Sequence, residues 1–477
     1  MTLPNDGLIL VVKRDCPTCR LIEPLARELV ERGLLAGLYS QDDPDFPAQL
    51  EPTDDRHLEA SYRLNIDIVP TLVRREDGRE TDRAIGWHRG EWQNLTGLKE
   101  LGAGLPNERP GCGSLSAAPG MDEALQARFG ATGLSARKFS VEFPEDEVEQ
   151  MFDRGWTDGL PVVPPTPARV LRMLAGSGRA PDEIVGQIPP AFDDCTVEKV
   201  AINMVMAGCR PEYMPIVLSA LDAALDPDFA WSGLLSTTMG AGLTVIVNGP
   251  IANRVGMNWG MGALGHGNRA NSTIARALQL IAINVGGAQP GGVDRTTIGH
   301  PGKYGLAFAE DETDGAWEPL AVSRGIATGS SAVTLFANCG TASYCDELSR
   351  DAHSLKRSLA ACLLNIYHPK SVGDIDAMLV LGSEHWQVFK AQGWGRADIT
   401  AALHDATRRP GADLVRGVGG IGTGIEPEQA DSDVAKFRED GLSLVRAGGR
   451  AGLFSTIICG WSGGAFGSRM QTREVKS

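Results

Sequence analysis

The chain of 477 residues is longer than one ordinary hydrophobic core requires, and it predicts two or three domains. Hydrophobic residues make up 42% of the chain and charged residues 22%, which is typical of a folded globular protein rather than a disordered one. The net charge of −15 and the lack of a basic tract argue against nucleic acid or an anionic membrane surface as a partner.

Three further features of the sequence predict the cellular compartment of the protein. No signal peptide is recognisable at the N-terminus, and no apolar run has the length of a membrane-spanning helix. The nine cysteines, an odd number in so long a chain, fit a reducing compartment better than a disulfide scaffold. We therefore expect a cytoplasmic protein without a membrane partner.

The first predicted elements surround a Cys-x-x-Cys motif. Leu8 to Val12 predicts a buried strand, and Cys16-Pro17-Thr18-Cys19 opens a helix predicted to run through Arg32. At a helix N-terminus, unpaired N–H groups and the helix dipole stabilise a thiolate at Cys16. Cys19, one turn further, is placed to resolve a mixed disulfide.

The segment Ile66 to Val73 places Pro70 at the mouth of a second apolar strand, a position where a sheet tolerates proline. With the Cys-x-x-Cys strand and helix, this segment resembles a thioredoxin or glutaredoxin domain over about the first hundred residues. The resemblance implies a cis Val69-Pro70 bond facing the cysteines and a substrate-binding role for Pro70. The alternatives are half of a zinc site or two ordinary cysteines. Because no second Cys-x-x-Cys exists, we favour redox chemistry, with a redox-active disulfide and no further cofactor.

Composition divides the chain into a thioredoxin-like domain at 1–103, a linker at 104–138 and an α/β catalytic or ligand-binding domain at 139–477. The linker is rich in Gly, Pro and Ser, so the reach of Cys112 within it is predicted to depend on flexibility. Cys112 stands between Gly111 and Gly113. It is either an incidental cysteine or a mobile thiol that serves the redox domain.

The larger domain begins with helices and continues with strands that end at glycine turns. Thr196 is predicted to cap a helix that ends at Gly208. Strands and helices then alternate, which predicts an α/β sheet with its functional loops at one end. No clean internal repeat is visible. The predicted strands are Leu243 to Val247, Gly305 to Ala309, Val333 to Phe336, Ala377 to Leu381, Leu442 to Val445 and Phe454 to Ile458.

From Gly155 to Tyr304 the chain resembles a family of uncharacterised bacterial proteins known as UGSC, whose selenoprotein members carry Sec-Gly-Ser-Cys. The resemblance rests on the segments GWTDGLPVVPP, TVEKVAINMVMAGCRPEY, VIVNGPI, GNRANSTIARAL and GHPGKY. Cys112-Gly113-Ser114 matches three of the four signature positions, with Cys for Sec, and Leu115 stands where the last Cys would be. The resemblance implies a redox-active cysteine.

The string from Gly265 to Thr273 is a candidate site for an anionic part of the substrate. A helix N-terminus capped by Asn271 or Ser272, with Arg269 beside it, favours a carboxylate or phosphate. The alternative is a plain glycine loop with an ordinary cap. The predicted substrate-binding residues here are Asn258, His266, Asn268, Arg269 and Ser272.

Two further segments could carry chemistry. His300, Lys303 and Tyr304 lie together on a predicted loop, where His300 could act as an acid or base and the other two could bind substrate. A hydrogen-bonded His in a Pro-Gly turn is the alternative. Cys339 follows a strand, a position typical of nucleophiles in α/β enzymes, with Cys345 as its possible resolving partner. Ligand spacing predicts no metal site, and no glycine-rich string predicts a nucleotide site.

We therefore predict a thiol-dependent oxidoreductase in which the CPTC domain supplies reducing equivalents to a cysteine-based site. The substrate is expected to be a small, anionic electrophile, with a thiol reductant as partner and a homo-oligomer as the assembly. The alternative is a hydrolase or lyase with His, Lys and Tyr loops, possible metal assistance and an accessory thioredoxin-like domain. A third option is a disulfide-handling or binding module whose larger domain has no chemistry.

Overall fold

The computed structural model describes residues 2–139, 146–461 and 467–476. The chain divides into two compact units. The first comprises Met1–Gly133 and Pro167–Leu171, and the second comprises Leu134–Thr166 and Arg172–Ser477. Both units mix helices with sheets, so the α/β fold class predicted from the sequence is confirmed.

The first unit alternates short strands and helices. Its strands are β1 (Gly7–Val12), β2 (Leu35–Ser40), β3 (Thr53–Asp54), β4 (Ile68–Val69), β5 (Thr71–Glu76), β6 (Arg79–Ile85), β7 (Trp87–His88), β8 (Glu108–Arg109) and β9 (Cys112–Gly113). Its helices are α1 (Pro17–Leu21), α2 (Glu23–Glu31), α3 (Glu59–Arg63), α4 (Arg89–Thr96) and α5 (Met121–Phe129).

A central sheet with the order β3-β2-β1-β5-β6 supports this unit. Strand β1 is parallel to β2 and antiparallel to β5. The apolar residues of β1 from Leu8 to Val12 are buried, as the uninterrupted hydrophobic run predicts for a strand covered on both faces. The single helix predicted from Cys16 to Arg32 is instead two helices, because Ile22 departs from helical geometry between α1 and α2.

The segment predicted to be a linker forms backbone pairs within the first unit. Strand β8 pairs with β7, and β9 pairs with β4 in antiparallel register, with Val69 opposite Cys112 and Ile68 opposite Gly113. The structure therefore differs from the expectation that flexibility sets the reach of Cys112. Its position is set by strand pairing.

The second unit contains more and longer elements. Its strands are β10 (Ile184–Ile188), β11 (Asp193–Thr196), β12 (Gly242–Asn248), β13 (Leu306–Ala309), β14 (Ala332–Asn338), β15 (Thr341–Cys345), β16 (Ile375–Leu381), β17 (Arg409–Pro410), β18 (Asp433–Val434), β19 (Phe437–Arg446), β20 (Phe454–Cys459) and β21 (Gln471–Glu474). The helices from residue 147 on are α6 (Glu147–Asp153), α7 (Pro167–Leu174, which crosses the unit boundary), α8 (Val197–Ala207), α9 (Met214–Ala224), α10 (Trp231–Ser236), α11 (Pro250–Arg254), α12 (Arg269–Asn284), α13 (Leu320–Ser323), α14 (Ala352–Leu363), α15 (Ser383–Lys390), α16 (Arg396–Ala406) and α17 (Gly411–Leu414).

The strands predicted in the larger domain do not form one sheet. In the described part of the second unit they form two larger sheets, with the orders β13-β12-β14-β21 and β19-β16-β20-β15. Each order contains one parallel pair followed by two antiparallel pairs. The two sheets thus have the same topology, although the sequence shows no repeat.

The two sheets also exchange a strand. Strand β15 follows β14 along the chain but pairs with β20 in the other sheet, and β21 follows β20 but pairs with β14. At the crossing, the Cys339 N–H donates to the Cys459 carbonyl at 2.8 Å, and the Cys459 N–H donates to the Gly340 carbonyl at 2.9 Å. A buried cluster that includes Ile246 and Met378 contains side chains from both sheets.

Two buried ion pairs join the residues that follow β13 to α16 and to β19 of the second sheet. Arg396 Nη2 lies 2.5 Å from Glu310 Oε1, and Arg446 Nη2 lies 2.7 Å from Asp311 Oδ2. Arg396 also donates to the Leu444 carbonyl in β19. All four charged side chains are at most 6% exposed, so each charge depends on its partner for stabilisation.

Among the described residues, the helices are too short or too polar for any of them to traverse a lipid bilayer.

Loss of one partner of the Glu310–Arg396 pair should destabilise the protein strongly. Glu310→Gln leaves the buried guanidinium of Arg396 without its counter-charge. We therefore expect the free energy of unfolding to fall by about 3–5 kcal/mol. Urea denaturation followed by tryptophan fluorescence measures this change. The matched control is Asp433→Asn, which breaks the exposed pair with Arg408 and should cost at most about 1 kcal/mol. Equal losses in the two variants would show that the buried pair has no special role.

Candidate functional site

Cys16 occupies the N-cap of α1, directly after the charged turn that follows β1. Its Sγ accepts a hydrogen bond from the Cys19 N–H at 3.4 Å and lies 3.4 Å from the Val69 carbonyl oxygen. The hydrogen bond from the Cys19 thiol is the largest effect on Cys16, and it lowers the pKa of Cys16 to about 5 against the opposing effect of burial. The Cys112 thiol lowers the same pKa further. Cys16 is therefore a thiolate at neutral pH.

Cys19 has the opposite electrostatic character. Its side chain is fully buried, and its Sγ accepts only a long hydrogen bond, 3.4 Å, from the Lys13 N–H. Burial is the largest cause that raises the pKa of Cys19, and the hydrogen bond to Cys16 adds to it. Cys19 therefore keeps its proton and stabilises the neighbouring thiolate.

Cys112 is the third thiol of the same cluster. It is half-buried, whereas Cys16 and Cys19 are both 0% exposed. Its hydrogen bond to Cys16 is the largest cause that raises the pKa of Cys112, since ionisation would put a second negative charge beside the first. Of the three sulfur-bearing side chains, only that of Cys112 reaches solvent.

Side-chain hydrogen bonds hold the segment around Cys112 in place. Thr18 Oγ1 donates to the Pro110 carbonyl at 2.6 Å, and Lys13 Nζ donates to the Gly113 carbonyl at 2.9 Å. The buried Gln41 bonds to Ser114 Oγ and to the N–H of residue 115. These residues are far from Cys112 in sequence, and sequence reasoning missed Lys13, Thr18 and Gln41 as parts of the site.

Gly111 is required by the close approach of the two strands. A Cβ built on Gly111 would lie 2.6 Å from the Val69 carbonyl oxygen and would also overlap the Ile68 side chain. A Cβ on Gly113 would meet nothing within 4 Å. The glycine before Cys112 is therefore a packing requirement, whereas the glycine after it is not.

The Val69-Pro70 bond is cis, as the resemblance to thioredoxins implies. The Pro70 carbonyl accepts a hydrogen bond from the Gly86 N–H at 2.7 Å, and Val69 is opposite Cys112 in the β4–β9 ladder. Pro70 therefore directly follows Val69, the residue that pairs with Cys112. Its role in substrate binding stays a prediction.

In the second unit, the loop predicted to bind an anion is used for local structure. Asn268, not Asn271 or Ser272, caps α12, because its Oδ1 accepts from the Asn271 N–H. Arg269 donates to the Gly208 carbonyl at 2.8 Å and to the Cys209 carbonyl at 3.2 Å, which satisfies the C-terminus of α8.

The other residues predicted on this loop make local hydrogen bonds or are exposed. Asn258 bonds to backbone groups of Gly260 and Met261, and the side chains of His266 and Ser272 are exposed. A substrate role for Asn258, His266, Asn268, Arg269 and Ser272 stays a prediction.

The predicted acid–base residues are also engaged by neighbours. His300 Nδ1 accepts from the Gly302 N–H and its Nε2 lies 3.1 Å from the Asn338 carbonyl oxygen, as in the hydrogen-bonded turn considered above. Lys303 Nζ lies 2.9 Å from Asp294 Oδ2. Tyr304 is 45% exposed. Their roles in catalysis and binding stay predictions.

Cys339 is half-buried at the strand crossing, and burial raises its pKa to about 11. That shift keeps Cys339 a thiol at neutral pH and disfavours it as a nucleophile. Cys345 lies at the far end of β15, so the extended strand separates the two cysteines. The described residues contain no group of three or more His, Cys, Asp or Glu side chains placed to hold a metal ion.

Comparison with known proteins supports a thioredoxin-like region. The chain is similar to a protein described as "Putative thioredoxin H10" from Arabidopsis thaliana, with 32% identity over 97 residues. The match covers 19% of this chain and 54% of the plant protein, so the chain spans about half the length of this curated relative. No family model matches the chain, and no solved structure matches it. The resemblance of residues 155–304 to the UGSC family stays a prediction.

Cys16 should be the cysteine that titrates in the acidic range. In the reduced protein, we expect thiolate absorbance to rise with a midpoint near pH 5, because the thiols of Cys19 and Cys112 stabilise the Cys16 anion. The measurement is an ultraviolet pH titration of the full-length protein. The control, Cys16→Ser, should lose the acidic transition. A wild-type midpoint near the unperturbed value of about 8.5 would contradict the described geometry.

Crowding at Gly111 provides a matched pair of variants. Gly111→Ala should push β9 away from β4, raise the pKa of Cys16 by loss of the Cys112 hydrogen bond, and slow disulfide formation between Cys16 and Cys112. Gly113→Ala should leave both properties unchanged because its Cβ enters open space. Ultraviolet titration of the thiolate measures the pKa of Cys16. Samples quenched at intervals during oxidation measure the rate of disulfide formation. Similar behaviour of the two variants would show that strand contact does not position Cys112.

Proposed function

We propose that the protein is a thiol-dependent oxidoreductase in which Cys16 and Cys19 supply electrons through Cys112. The observation that supports this proposal is the meeting of three thiols with different protonation states, one ionised and two protonated. A thiolate beside two potential disulfide partners can form either of two intramolecular disulfides. The similarity to a protein described as a putative thioredoxin supports the same class of chemistry.

In this proposal Cys112 meets the substrate, since it is the thiol of the cluster that reaches solvent. Cys112 gives up its proton, and its thiolate attacks a substrate disulfide to form a mixed disulfide. The first half of the substrate leaves as a thiolate and takes up the proton that Cys112 lost. The raised pKa makes the Cys112 thiolate scarce, but a more basic thiolate is also the better nucleophile.

The two buried cysteines then complete the reduction. The Cys16 thiolate attacks the sulfur of Cys112 and expels the second half of the substrate as a thiolate, which takes a proton from solvent. A Cys16–Cys112 disulfide remains. Cys19 attacks Cys16, the Cys16–Cys19 disulfide forms, and the proton from Cys19 returns to Cys112. Two electrons have passed from Cys16 and Cys19 to the substrate. An external thiol reductant returns the protein to its starting state.

Removal of Cys19 should trap the intermediate of this sequence. In Cys19→Ser protein, mild oxidation should accumulate a Cys16–Cys112 disulfide, because the thiol that resolves it is gone. Peptide mass spectrometry of the unreduced protein identifies the link. The matched control, Cys345→Ser, changes an exposed cysteine outside the cluster and should accumulate no such link.

The proposal also requires Cys112 for turnover. If Cys112→Ser reduces a small disulfide as fast as wild type, and Cys16 pairs only with external thiols, then Cys112 is not part of the electron path. The thioredoxin-like unit would then act without its third thiol.

A further inference from the structure

The second unit contains a cavity of about 320 Å³ that the redox proposal does not use. Arg324, Arg438 and Arg469 line it together with carboxylates, among which Asp376 is the most deeply buried. The ion pair between Arg438 Nη2 and Asp376 Oδ2 forms part of this lining. A cavity of this size suits a small polar molecule.

Asp376 has one oxygen that the protein leaves unsatisfied. The residue is 5% exposed, and its Oδ1 has no hydrogen-bond partner among the described residues. Gly441 lines the same cavity, and a Cβ there would lie 2.7 Å from this oxygen. A side chain at this position would therefore collide with Asp376 Oδ1, which lies buried beside the cavity. A buried acceptor without a donor is costly, and a hydroxyl of a bound molecule would satisfy it.

Arg324 supplies a positively charged group that is held in a fixed orientation. Its Nε donates to Thr472 Oγ1 at 2.7 Å, and its Nη2 donates to the Met470 carbonyl at 2.7 Å. Among the described residues no carboxylate forms an ion pair with Arg324. Arg469, by contrast, lies 2.8 Å from Asp440, which is 70% exposed. Asp440 acts on Arg324 electrostatically without an ion pair. A guanidinium held in this way is suited to the planar oxygen pairs of carboxylates and phosphates.

We propose that this cavity binds a small hydroxylated oxyanion, a hydroxy acid or a hydroxylated phosphate monoester. Its carboxylate or phosphate oxygens bind the guanidinium groups of Arg324 and Arg469, and its hydroxyl group donates to Asp376 Oδ1. The proposal rests on the cavity and its side chains and does not depend on the thiol chemistry. It places an anion site away from the loop at Arg269.

Calorimetric titration of the full-length protein tests the proposal with three probes. Malate and glycerol 3-phosphate carry an oxyanion and a hydroxyl, whereas succinate lacks the hydroxyl. We expect one of the first two to bind, and the one that binds identifies the oxyanion as a carboxylate or a phosphate. If malate binds, succinate should bind about tenfold more weakly because it leaves Asp376 Oδ1 unsatisfied.

Variants then assign the binding to this cavity. Arg324→Gln and Arg469→Gln should each weaken binding by about tenfold or more. Arg416→Gln changes an exposed arginine paired with Glu426 outside the cavity lining and should have no effect. Thermal melts confirm that the variants fold. The proposal is overturned if neither malate nor glycerol 3-phosphate binds below about 10 mM, or if binding is unchanged in both cavity variants.

Discussion

The antiparallel pairing of β9 with β4 is the interaction on which the redox site depends. Val69 lies opposite Cys112 in this ladder, and its carbonyl oxygen is also 3.4 Å from Cys16 Sγ, so one residue aligns both sulfurs. The Gly-rich composition that ordinarily indicates a flexible linker has a different meaning at Gly111. There it allows two backbones to approach more closely than any side chain permits.

The three thiols share a single negative charge. Because they are hydrogen-bonded to one another in a largely buried cluster, ionisation of one raises the pKa of the others, and the charge settles on Cys16. The cluster is therefore asymmetric although its members are chemically identical. The order of thiol–disulfide steps in the proposed mechanism follows from this asymmetry. Cys16 forms the most stable thiolate of the three, and it contacts both Cys19 and Cys112, so it can form a disulfide with either.

The sequence was informative wherever the signal is local. The CPTC motif, the position of Pro70, the Thr196 cap and the end of α8 at Gly208 follow from neighbouring residues, and the structure has each of them. Contacts between distant segments were out of reach. Nothing near Cys112 reveals that β4 is its partner, and nothing near Arg269 reveals that its guanidinium serves the end of α8. The division of the predicted sheet into two depends on strand pairing across more than a hundred residues, which hydrophobic patterning does not encode.

The exchange of β15 and β21 between the two sheets has a consequence for biosynthesis. Strand β14 is buried along its whole length and lies between β12 and β21, so its second edge stays unpaired until residues 471–474 have been translated. A nascent chain of this protein therefore carries an open apolar strand edge while residues 339–470 are synthesised. Such edges favour pairing with other chains, so the risk of aggregation is highest in the interval before β21 has been made.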